Sequence, residues 1–331
     1  MQNIIRLINK ILIFLINLQK KFKNKKTIKS IIMINWHGKI GDAIVSSFFI
    51  KALLKNGYNV TIISTNNLKT LYVKDYSVSK FIEIKSVCFS NIVKCTSLKT
   101  DAIIPLFGIL QTFDLMFLML FPKAAIFTSD TRLKNDLLVN NMPIKQIYLK
   151  ILDYLKIYHF EKDLIIPINK DFKNFFYILF NPFGSRDDKS ISAKKSAEIL
   201  KEISKKYIDK NILLLESSQT NEMANIILNK AKKPPNVFIK NIKSYYEMFN
   251  FVYFASYIIT VDTSVAHVAS AFRKNCIVIY RDFEGFNPWT IEKESNTKFI
   301  FSKVESSKKS KIESFNTRDI IFNLEALSKN D

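Results

Sequence analysis

Three short polar segments of this 331-residue chain carry the residue types of a catalytic or anion-binding site. The first is the pair Gly41-Asp42, which follows the apolar segment 31–36 and a turn containing Gly38. Asp42 is also the first acidic residue of the chain. A carboxylate at such a junction can cap the helix that follows, or it can act as a general base at the mouth of a cleft.

The second segment is Asn-Pro-Phe-Gly-Ser-Arg-Asp-Asp-Lys at residues 181–189. Gly184 and Ser185 can offer backbone N–H and hydroxyl donors, and Lys189 can place a point charge on a phosphate. Taken alone, the segment also fits an ordinary polar loop. The pair Asp187-Asp188 lacks a third clustered carboxylate, so we do not predict a divalent metal site there.

The third segment follows an apolar strand at 257–261 and reads Asp262-Thr263-Ser264, with His267 one turn further on. A helix predicted to begin here would offer unpaired N–H groups and the positive end of its dipole to an anion. The two hydroxyl groups would add donors. The alternative is a capped helix with a histidine buried for packing.

The elements that position these segments alternate between strand and helix. In the first half, the pattern predicts a strand at 31–36, a helix at 42–55 and a strand at 58–64, with further strands at 80–84 and 101–106. This β-α-β opening favours a parallel sheet.

A second alternating section begins at residue 176 and predicts another parallel α/β unit. Its strands are predicted at 176–181, 211–216, 237–239, 257–261 and 276–280, and its helices at 192–206, 221–231, 245–255, 264–272 and 318–327. The predicted fold class is therefore α/β, with two facing Rossmann-like domains. Ligands of such sheets bind at the carboxyl ends of the strands, where all three polar segments fall.

Four parts follow from this pattern. Residues 1–29 are predicted to form an amphipathic basic segment and residues 30–165 an N-terminal domain. Residues 175–313 are predicted to form a C-terminal domain, closed by a helix within 314–331.

The apolar segment 4–18 is shorter than the roughly 20 residues of a membrane-spanning helix, and no small-residue cleavage site follows it. Six lysines do follow, at positions 20, 21, 23, 25, 26 and 29. We predict a helix that lies on an anionic membrane surface. The alternative is a helix that packs on the protein's own core. The apolar stretch 106–127 likewise indicates buried core or a membrane-facing patch.

The net charge of +21 favours anionic partners, but no nucleic-acid-binding module is recognisable. Cys88, Cys95 and Cys276 are few, odd in number and without metal-ligand spacing, which favours a reducing compartment.

Together, the three segments in this order resemble the heptosyltransferases, glycosyltransferase family 9, over about residues 31–289. The resemblance implies the GT-B fold, with the acceptor on the N-terminal domain and the nucleotide sugar on the C-terminal domain. It implies Asp42 as general base, with Lys39 and Gly41 on the acceptor side, and Lys189 as the second catalytic residue.

On the donor side, the resemblance implies a set of residues that face the diphosphate: Gly184, Ser185, Asp262, Thr263, Ser264 and His267. Glu222 or its neighbour Asn221 would contact the ribose. The family usually has glycine at the position of Ser264, and an aromatic residue commonly follows the phosphate-binding lysine, where this chain has Ser190 and Ile191.

The implied function is inverting transfer of a heptose, or a related sugar, from ADP-heptose to a lipopolysaccharide core acceptor at the cytoplasmic face of the inner membrane. No metal, other cofactor or nucleic acid is expected to take part. Two alternatives stay open. One is a GT-B transferase that uses a different nucleotide sugar, and the other is a non-catalytic basic membrane-surface protein that binds lipid phosphates.

Overall fold

Two six-stranded parallel sheets, one in each half of the chain, organise this protein. The computed structural model describes residues 2–20, 27–86, 88–105, 107–140, 142–169, 176–281, 288–303 and 311–329. The chain divides into two units, Met1–Ile165 and Ile166–Asp331. Each unit is a Rossmann-like α/β fold, so the predicted fold class is confirmed.

The first unit contains six strands and five α-helices among its described residues. The strands are β1 (Ser30–Asn35), β2 (Asn59–Ser64), β3 (Lys80–Glu83), β4 (Ala102–Ile104), β5 (Ala125–Thr128) and β6 (Leu137–Leu138). The helices are α1 (Gln2–Lys20), α2 (Ile40–Lys55), α3 (Phe89–Val93), α4 (Thr112–Met119) and α5 (Ile144–Tyr154).

The second unit contains six strands and five α-helices among its described residues. The strands are β7 (Tyr177–Asn181), β8 (Asn211–Glu216), β9 (Val237–Asn241), β10 (Tyr257–Val261), β11 (Asn275–Arg281) and β12 (Thr297–Ser302). The helices are α6 (Ala193–Lys206), α7 (Asn221–Lys230), α8 (Tyr245–Phe254), α9 (Ser264–Ala271) and α10 (Thr317–Ser328).

Both sheets have the same strand order. In the first it runs β3-β2-β1-β4-β5-β6, and in the second β9-β8-β7-β10-β11-β12. In each unit the first strand lies inside the sheet, the next two strands lie on one side of it, and the last three lie on the other side. The carboxyl ends of β1 and β4, and those of β7 and β10, flank the point of reversal, where doubly wound sheets bind ligands.

The central strands are buried on both faces, which is why they read as unbroken apolar runs. All five residues of β7 and all five of β10 are buried. Their side chains pack beneath α6, α7 and α10 in a core that includes Phe180, Leu200 and Leu324. Polar groups consequently appear where the strands end.

Helix α1 packs against the first unit through one side. Ile16 is buried in a core with Trp36 and Phe117. The amide of Asn17 donates to the carbonyl of Arg132 at 3.0 Å, and its oxygen accepts from the Lys134 amide at 2.6 Å. The predicted alternative of core packing therefore holds for this side of the helix.

The opposite side of α1 is apolar and exposed. Leu7, Phe14 and Leu18 lie about 160–180° around the helix from Ile16 and are 41–65% exposed. Ile4, Ile8, Ile11 and Leu15 share this surface, which we call the outer face of α1. None of the described helices is long and apolar enough to cross a bilayer.

The predicted strands and helices are present, with small shifts at their ends. The main shift concerns α2, which begins at Ile40 and not at Asp42. Strands β5, β6 and β12 and helices α3, α4 and α5 were not predicted. Within the apolar stretch 106–127, Leu115, Phe117 and Leu118 are buried, as the core interpretation predicts.

Candidate functional site

The turn after β1 is closed by Asn35. Its oxygen accepts from the Lys39 amide, and its nitrogen donates to the Lys39 carbonyl, both at 3.1 Å. The same nitrogen donates to the Tyr72 hydroxyl at 3.1 Å. Because the side chain of Asn35 holds the turn, the helix begins immediately afterwards at Ile40.

Gly38 lets this turn lie against the end of β2. Its φ is +57°, and a Cβ atom built on it would lie 1.8 Å from Thr65 Oγ1. The Asn67 side chain donates to the Gly38 carbonyl at 3.1 Å. Any larger residue would clash with Thr65 and force the turn away from its neighbours. The positive φ favours glycine independently.

Asp42 is the third residue of α2, inside its first turn, so it is not the residue that caps the helix. Burial raises the pKa of its carboxyl from 3.8 to about 6, while the charge of Lys39 and the Asp42 amide act in the opposite direction. Tyr72 and Tyr148 are buried nearby, and their pKa values are raised by burial and further by the Asp42 charge.

A carboxyl group with a pKa near 6 can accept a proton efficiently near neutral pH. The two other residues predicted on this side are less enclosed: Lys39 is exposed, and Gly41 is half-buried in the first turn of α2. The chemistry of this strand end therefore centres on Asp42.

The loop after β7 folds around Ser190. Its hydroxyl accepts from the Gly184 amide at 2.9 Å and donates to the Arg186 carbonyl at 3.1 Å. A Cβ atom on Gly184 would lie 2.4 Å from the Lys189 carbonyl oxygen, so glycine is required by packing. The Gly184 amide thus shapes the loop, while Ser185 is exposed on its surface.

Lys189 forms an ion pair between the segments that follow β7 and β10, the two strands at the reversal point of the second sheet. Its Nζ lies 3.0 Å from Asp262 Oδ2, with 27% and 12% of the two side chains exposed. Lys189 ends the loop that follows β7, and Asp262 directly follows β10. The structure therefore brings together two residues that are 73 positions apart in the sequence.

The start of α9 is fixed by a cluster of amide and hydroxyl groups. Thr263 occupies the N-cap position, and its hydroxyl accepts from Asn181 Nδ2 at 3.2 Å. The same nitrogen donates to Thr260 Oγ1 at 3.0 Å. Ser264 begins the helix beside Asp262, so the positive end of the α9 dipole lies next to the Lys189 ammonium group.

His267 is buried in the first turn of α9. Burial lowers the pKa of its imidazole, opposed by the charge of Asp262 and assisted by that of Lys189. A neutral imidazole can donate through one nitrogen and accept through the other. It extends the polar cluster without adding charge.

The two acidic residues of the β7 loop have cationic partners. Asp188 Oδ2 lies 2.9 Å from both Arg186 and Arg281, and Asp187 lies 3.5 Å from Lys311. Within the described part of the chain, no group of three or more potential ligands is arranged to hold a metal ion.

The two candidate ribose residues differ in their surroundings. Glu222 is exposed in the first turn of α7, whereas Asn221 donates to Glu216 Oε1 at 2.8 Å. Sequence reasoning missed Glu216, because an acidic residue that ends a predicted strand is usually solvated. It also missed Asn35, Tyr148 and Ser190; of these, only the polar Asn35 at the end of an apolar strand gave a local signal.

Comparison with known proteins places this fold in a class. Three solved structures share the fold over their whole lengths. The glycosyl transferase family 9 protein of Veillonella parvula has a TM-score of 0.66 at 12% identity, covering 92% of this chain and 98% of that one. ADP-heptose lps heptosyltransferase II of E. coli has a TM-score of 0.63 at 14% identity, covering 91% and 99%. E. coli heptosyltransferase WaaC with ADP has 0.58 at 10%, covering 91% and 98%.

These likenesses establish a GT-B-like fold. Residues 153–315 match the sequence model of glycosyltransferase family 9 (heptosyltransferase), so the resemblance predicted from the sequence is confirmed and the protein is a glycosyltransferase. Among curated proteins, none matches the chain by sequence.

The half-buried Asp42 carboxyl should destabilise the folded protein at neutral pH. Its folded-state pKa of about 6 exceeds the ordinary 3.8, so the folded state binds the proton more tightly than the unfolded state does. The cost is absent well below pH 4, grows as pH rises through 4 to 6, and is complete above 6, at up to about 3 kcal/mol. We expect Asp42→Asn to raise the free energy of unfolding at pH 7.5 by about 1–3 kcal/mol.

Urea unfolding at pH 7.5 and pH 4.5 measures this difference, which should shrink at the lower pH. Asp209→Asn, at an exposed position, is the matched control and should change little at either pH. A loss of stability in Asp42→Asn at both pH values would mean that the carboxylate supports the fold.

Removing the Lys189 charge should weaken binding of a diphosphate at the second strand end. We expect Lys189→Ala to reduce affinity for inorganic pyrophosphate by about 10- to 100-fold, because it removes a charged donor and leaves Asp262 to repel the anion. Adding Asp262→Asn should restore part of the affinity. Calorimetric titration measures both effects. Lys206→Ala, which breaks a surface ion pair with Glu325, is the control. Equal affinities for the Lys189 and Lys206 variants would contradict an anion site here.

Proposed function

We propose that this protein transfers a heptose from ADP-heptose to a lipopolysaccharide core acceptor, with inversion at the anomeric carbon. The observation that carries the proposal is the pairing of Lys189 with Asp262 beside the start of α9, within the region that matches the family. In this arrangement Asp262 holds the Lys189 ammonium group beside the N–H groups at the start of α9, and both can stabilise a leaving diphosphate. The relatives whose names include ADP-heptose or ADP support the choice of donor.

In the proposed reaction, an acceptor hydroxyl attacks the anomeric carbon of the donor sugar. A new carbon–oxygen bond forms while the bond to the diphosphate oxygen breaks, and that oxygen keeps the electron pair. Asp42 takes the proton of the attacking hydroxyl. Its raised pKa suits this role, because a carboxylate with a pKa near 6 is still ionised at neutral pH and is a stronger base than an ordinary aspartate.

Negative charge grows on the diphosphate as its bond to the sugar breaks. Lys189 and the N–H groups at the start of α9 would stabilise that charge more in the transition state than in the ground state, which lowers the barrier. Thr263 and Ser264 would add hydroxyl donors. His267, held neutral by burial, would donate a hydrogen bond without a full charge.

The family match favours transfer over the alternative of a non-catalytic protein that binds lipid phosphates. The identity of the sugar rests on family resemblance, so a direct assay has to compare donors. A different nucleotide sugar as donor would keep the same chemistry at Asp42 and Lys189.

Purified protein should convert ADP-heptose and a heptose-deficient lipopolysaccharide core into glycosylated product and ADP. UDP-glucose and GDP-mannose serve as competing donors, and mass spectrometry of the acceptor reads the sugar added. We expect Asp42→Asn to reduce kcat by about 10²–10⁴-fold, and wild-type kcat/KM to fall below about pH 6. Faster transfer from another nucleotide sugar would show that this sugar is the donor. Full activity of Asp42→Asn would show that Asp42 is not the general base.

We also propose that the enzyme works on the cytoplasmic face of the inner membrane, with the outer face of α1 as its anchor. The exposed side chains of this face form one apolar stripe. Arg6 and Lys10 lie on its flank, and six lysines follow between positions 20 and 29. Of these, positions 21–26 lie outside the described residues. An apolar stripe bordered by cations suits the surface of an anionic bilayer.

The membrane proposal predicts a selective loss of lipid binding. Leu7→Ser, Ile11→Ser and Phe14→Ser together should reduce co-sedimentation with phosphatidylethanolamine–phosphatidylglycerol vesicles by at least about tenfold, because each change removes apolar surface from the bilayer. The control is Ile208→Ser, Phe238→Ser and Phe322→Ser, three exposed apolar residues of the second unit. Similar binding by the two triple variants would show that the outer face of α1 is not the anchor.

A further inference from the structure

Asp188, in the loop after β7, is held by two arginine side chains. Its Oδ2 accepts from Arg186 Nη2 and from Arg281 Nη1, both at 2.9 Å, and its Oδ1 accepts from Arg186 Nε at 3.0 Å. Only 18% of the Asp188 side chain and 9% of the Arg281 side chain are exposed, whereas most of Arg186 is exposed. The pair between Asp188 and Arg281 is therefore the enclosed part of this contact.

Arg281 ties the loop to the far side of β10. It is the last residue of β11, which pairs with β10 so that Val261 is opposite Ile279. Continuing this register by two residues brings Arg281 level with Thr263, at the start of α9. Strand β10 lies between β7 and β11, so the ion pair joins the loop to a strand about 10 Å away from the one it follows. The loop is thereby fixed across the end of β10.

The position of Lys189 depends on this contact, because Lys189 is the next residue along the chain. Both residues belong to one turn of 3-10 helix, which is closed by a hydrogen bond from the Lys189 amide to the Arg186 carbonyl at 3.0 Å. The lysine side chain is flexible, so the place of its ammonium group, 3.0 Å from Asp262, depends on where the backbone of the turn lies. Anchoring Asp188 fixes that backbone.

Stability gives a poor account of the pair between Asp188 and Arg281. A mostly buried ion pair loses the hydration of both charges, and well-packed apolar residues in its place often stabilise a protein equally well or better. What such a pair can add is the choice of one arrangement of a segment over others. The two buried charges thus point to placement of the turn.

We propose that Asp188 and Arg281 are positioning residues that place the Lys189 ammonium group against the diphosphate of the donor. This inference rests on the proposed function, because it takes the ligand to be a diphosphate. Neither residue needs to touch the ligand in this role. The charge of Asp188 even acts against binding, since a carboxylate near Lys189 repels an anion. Placement and charge therefore predict opposite effects when this carboxylate is removed.

Calorimetric titration of the full chain with inorganic pyrophosphate separates the two effects. We expect Asp188→Asn to lower the affinity by about five- to tenfold, a part of the loss expected when the Lys189 ammonium group is removed altogether. An effect of charge alone would raise the affinity. Asp187→Asn is the matched control, because it removes the same charge from the neighbouring residue, which is exposed and 3.5 Å from Lys311. It should change the affinity by less than about twofold.

A thermodynamic cycle shows whether Asp188 acts through Lys189. In a Lys189→Ala background there is no ammonium group to place, so Asp188→Asn should leave the affinity unchanged or raise it. A merely structural role of Asp188 would lower the affinity in both backgrounds. The sign of the change in the Lys189→Ala background is therefore the decisive readout.

Arg281→Met gives the same test from the other side of the ion pair. It leaves Asp188 paired with Arg186, so it does not leave a buried arginine facing a neutral side chain. We expect a loss of about five- to tenfold when Lys189 is present, and less than about twofold in the Lys189→Ala background. Thermal unfolding checks that each variant is folded, and if Asp188→Asn does not fold, the Arg281→Met cycle decides.

The outcomes separate this inference from the proposed function. The positioning role is wrong if Asp188→Asn binds pyrophosphate as tightly as wild type or more tightly, or if either variant loses as much affinity in the Lys189→Ala background. Heptose transfer by wild type with one of these results would leave the proposed function standing. Losses confined to the variants that keep Lys189, without heptose transfer by wild type, would do the reverse. If wild type does not bind pyrophosphate, the inference fails whatever sugar the protein transfers.

Discussion

The burial of the central strands on both faces is the constraint on which the rest of each unit depends. A parallel strand covered above and below by helices has no face on which a charged side chain can meet water. Strands β7 and β10 are buried throughout, and charge first appears in the segments that follow them. The reversal of strand order then sets two such ends side by side, which is how Lys189 and Asp262 come within 3.0 Å.

The sequence predicted this framework well because apolar runs, turn residues and helix starts are local signals. Strands β7 to β11 and the polar segments after β7 and β10 could be placed from such signals alone. The pairing of Lys189 with Asp262 could not, since it depends on which strands become neighbours. Strand β12 and helices α3 and α4 were missed, because short apolar segments give no clear period that separates helix from strand. Helix α5 was missed although its buried residues recur at helical spacing.

The functional side chains themselves were harder to predict. Asp42 was identified by its place after a strand and a glycine-bearing turn, but its raised pKa comes from burial, which only the folded unit creates. Tyr148 approaches that carboxyl from 106 positions away, as the two residue numbers show. Ser190 departs from the family pattern, yet it holds the Gly184 amide and so fixes the loop around Lys189. A residue that departs from the family pattern is therefore worth following when its side chain makes a contact that holds the loop, as Ser190 does with the Gly184 amide.

The attachment of α1 to the core has a consequence for how the protein meets a surface. Asn17 ties the helix to the segment after β5, and Ile16 is buried with Trp36, next to the turn that precedes Asp42. A helix held in this way cannot swivel as an anchor on a flexible tether does. If its outer face enters a bilayer, the first unit can no longer tilt or move along the membrane normal, but it still rotates about the normal and moves laterally. The height of Asp42 above the lipid then becomes a fixed dimension of the enzyme, and the search for a lipid-borne acceptor becomes two-dimensional.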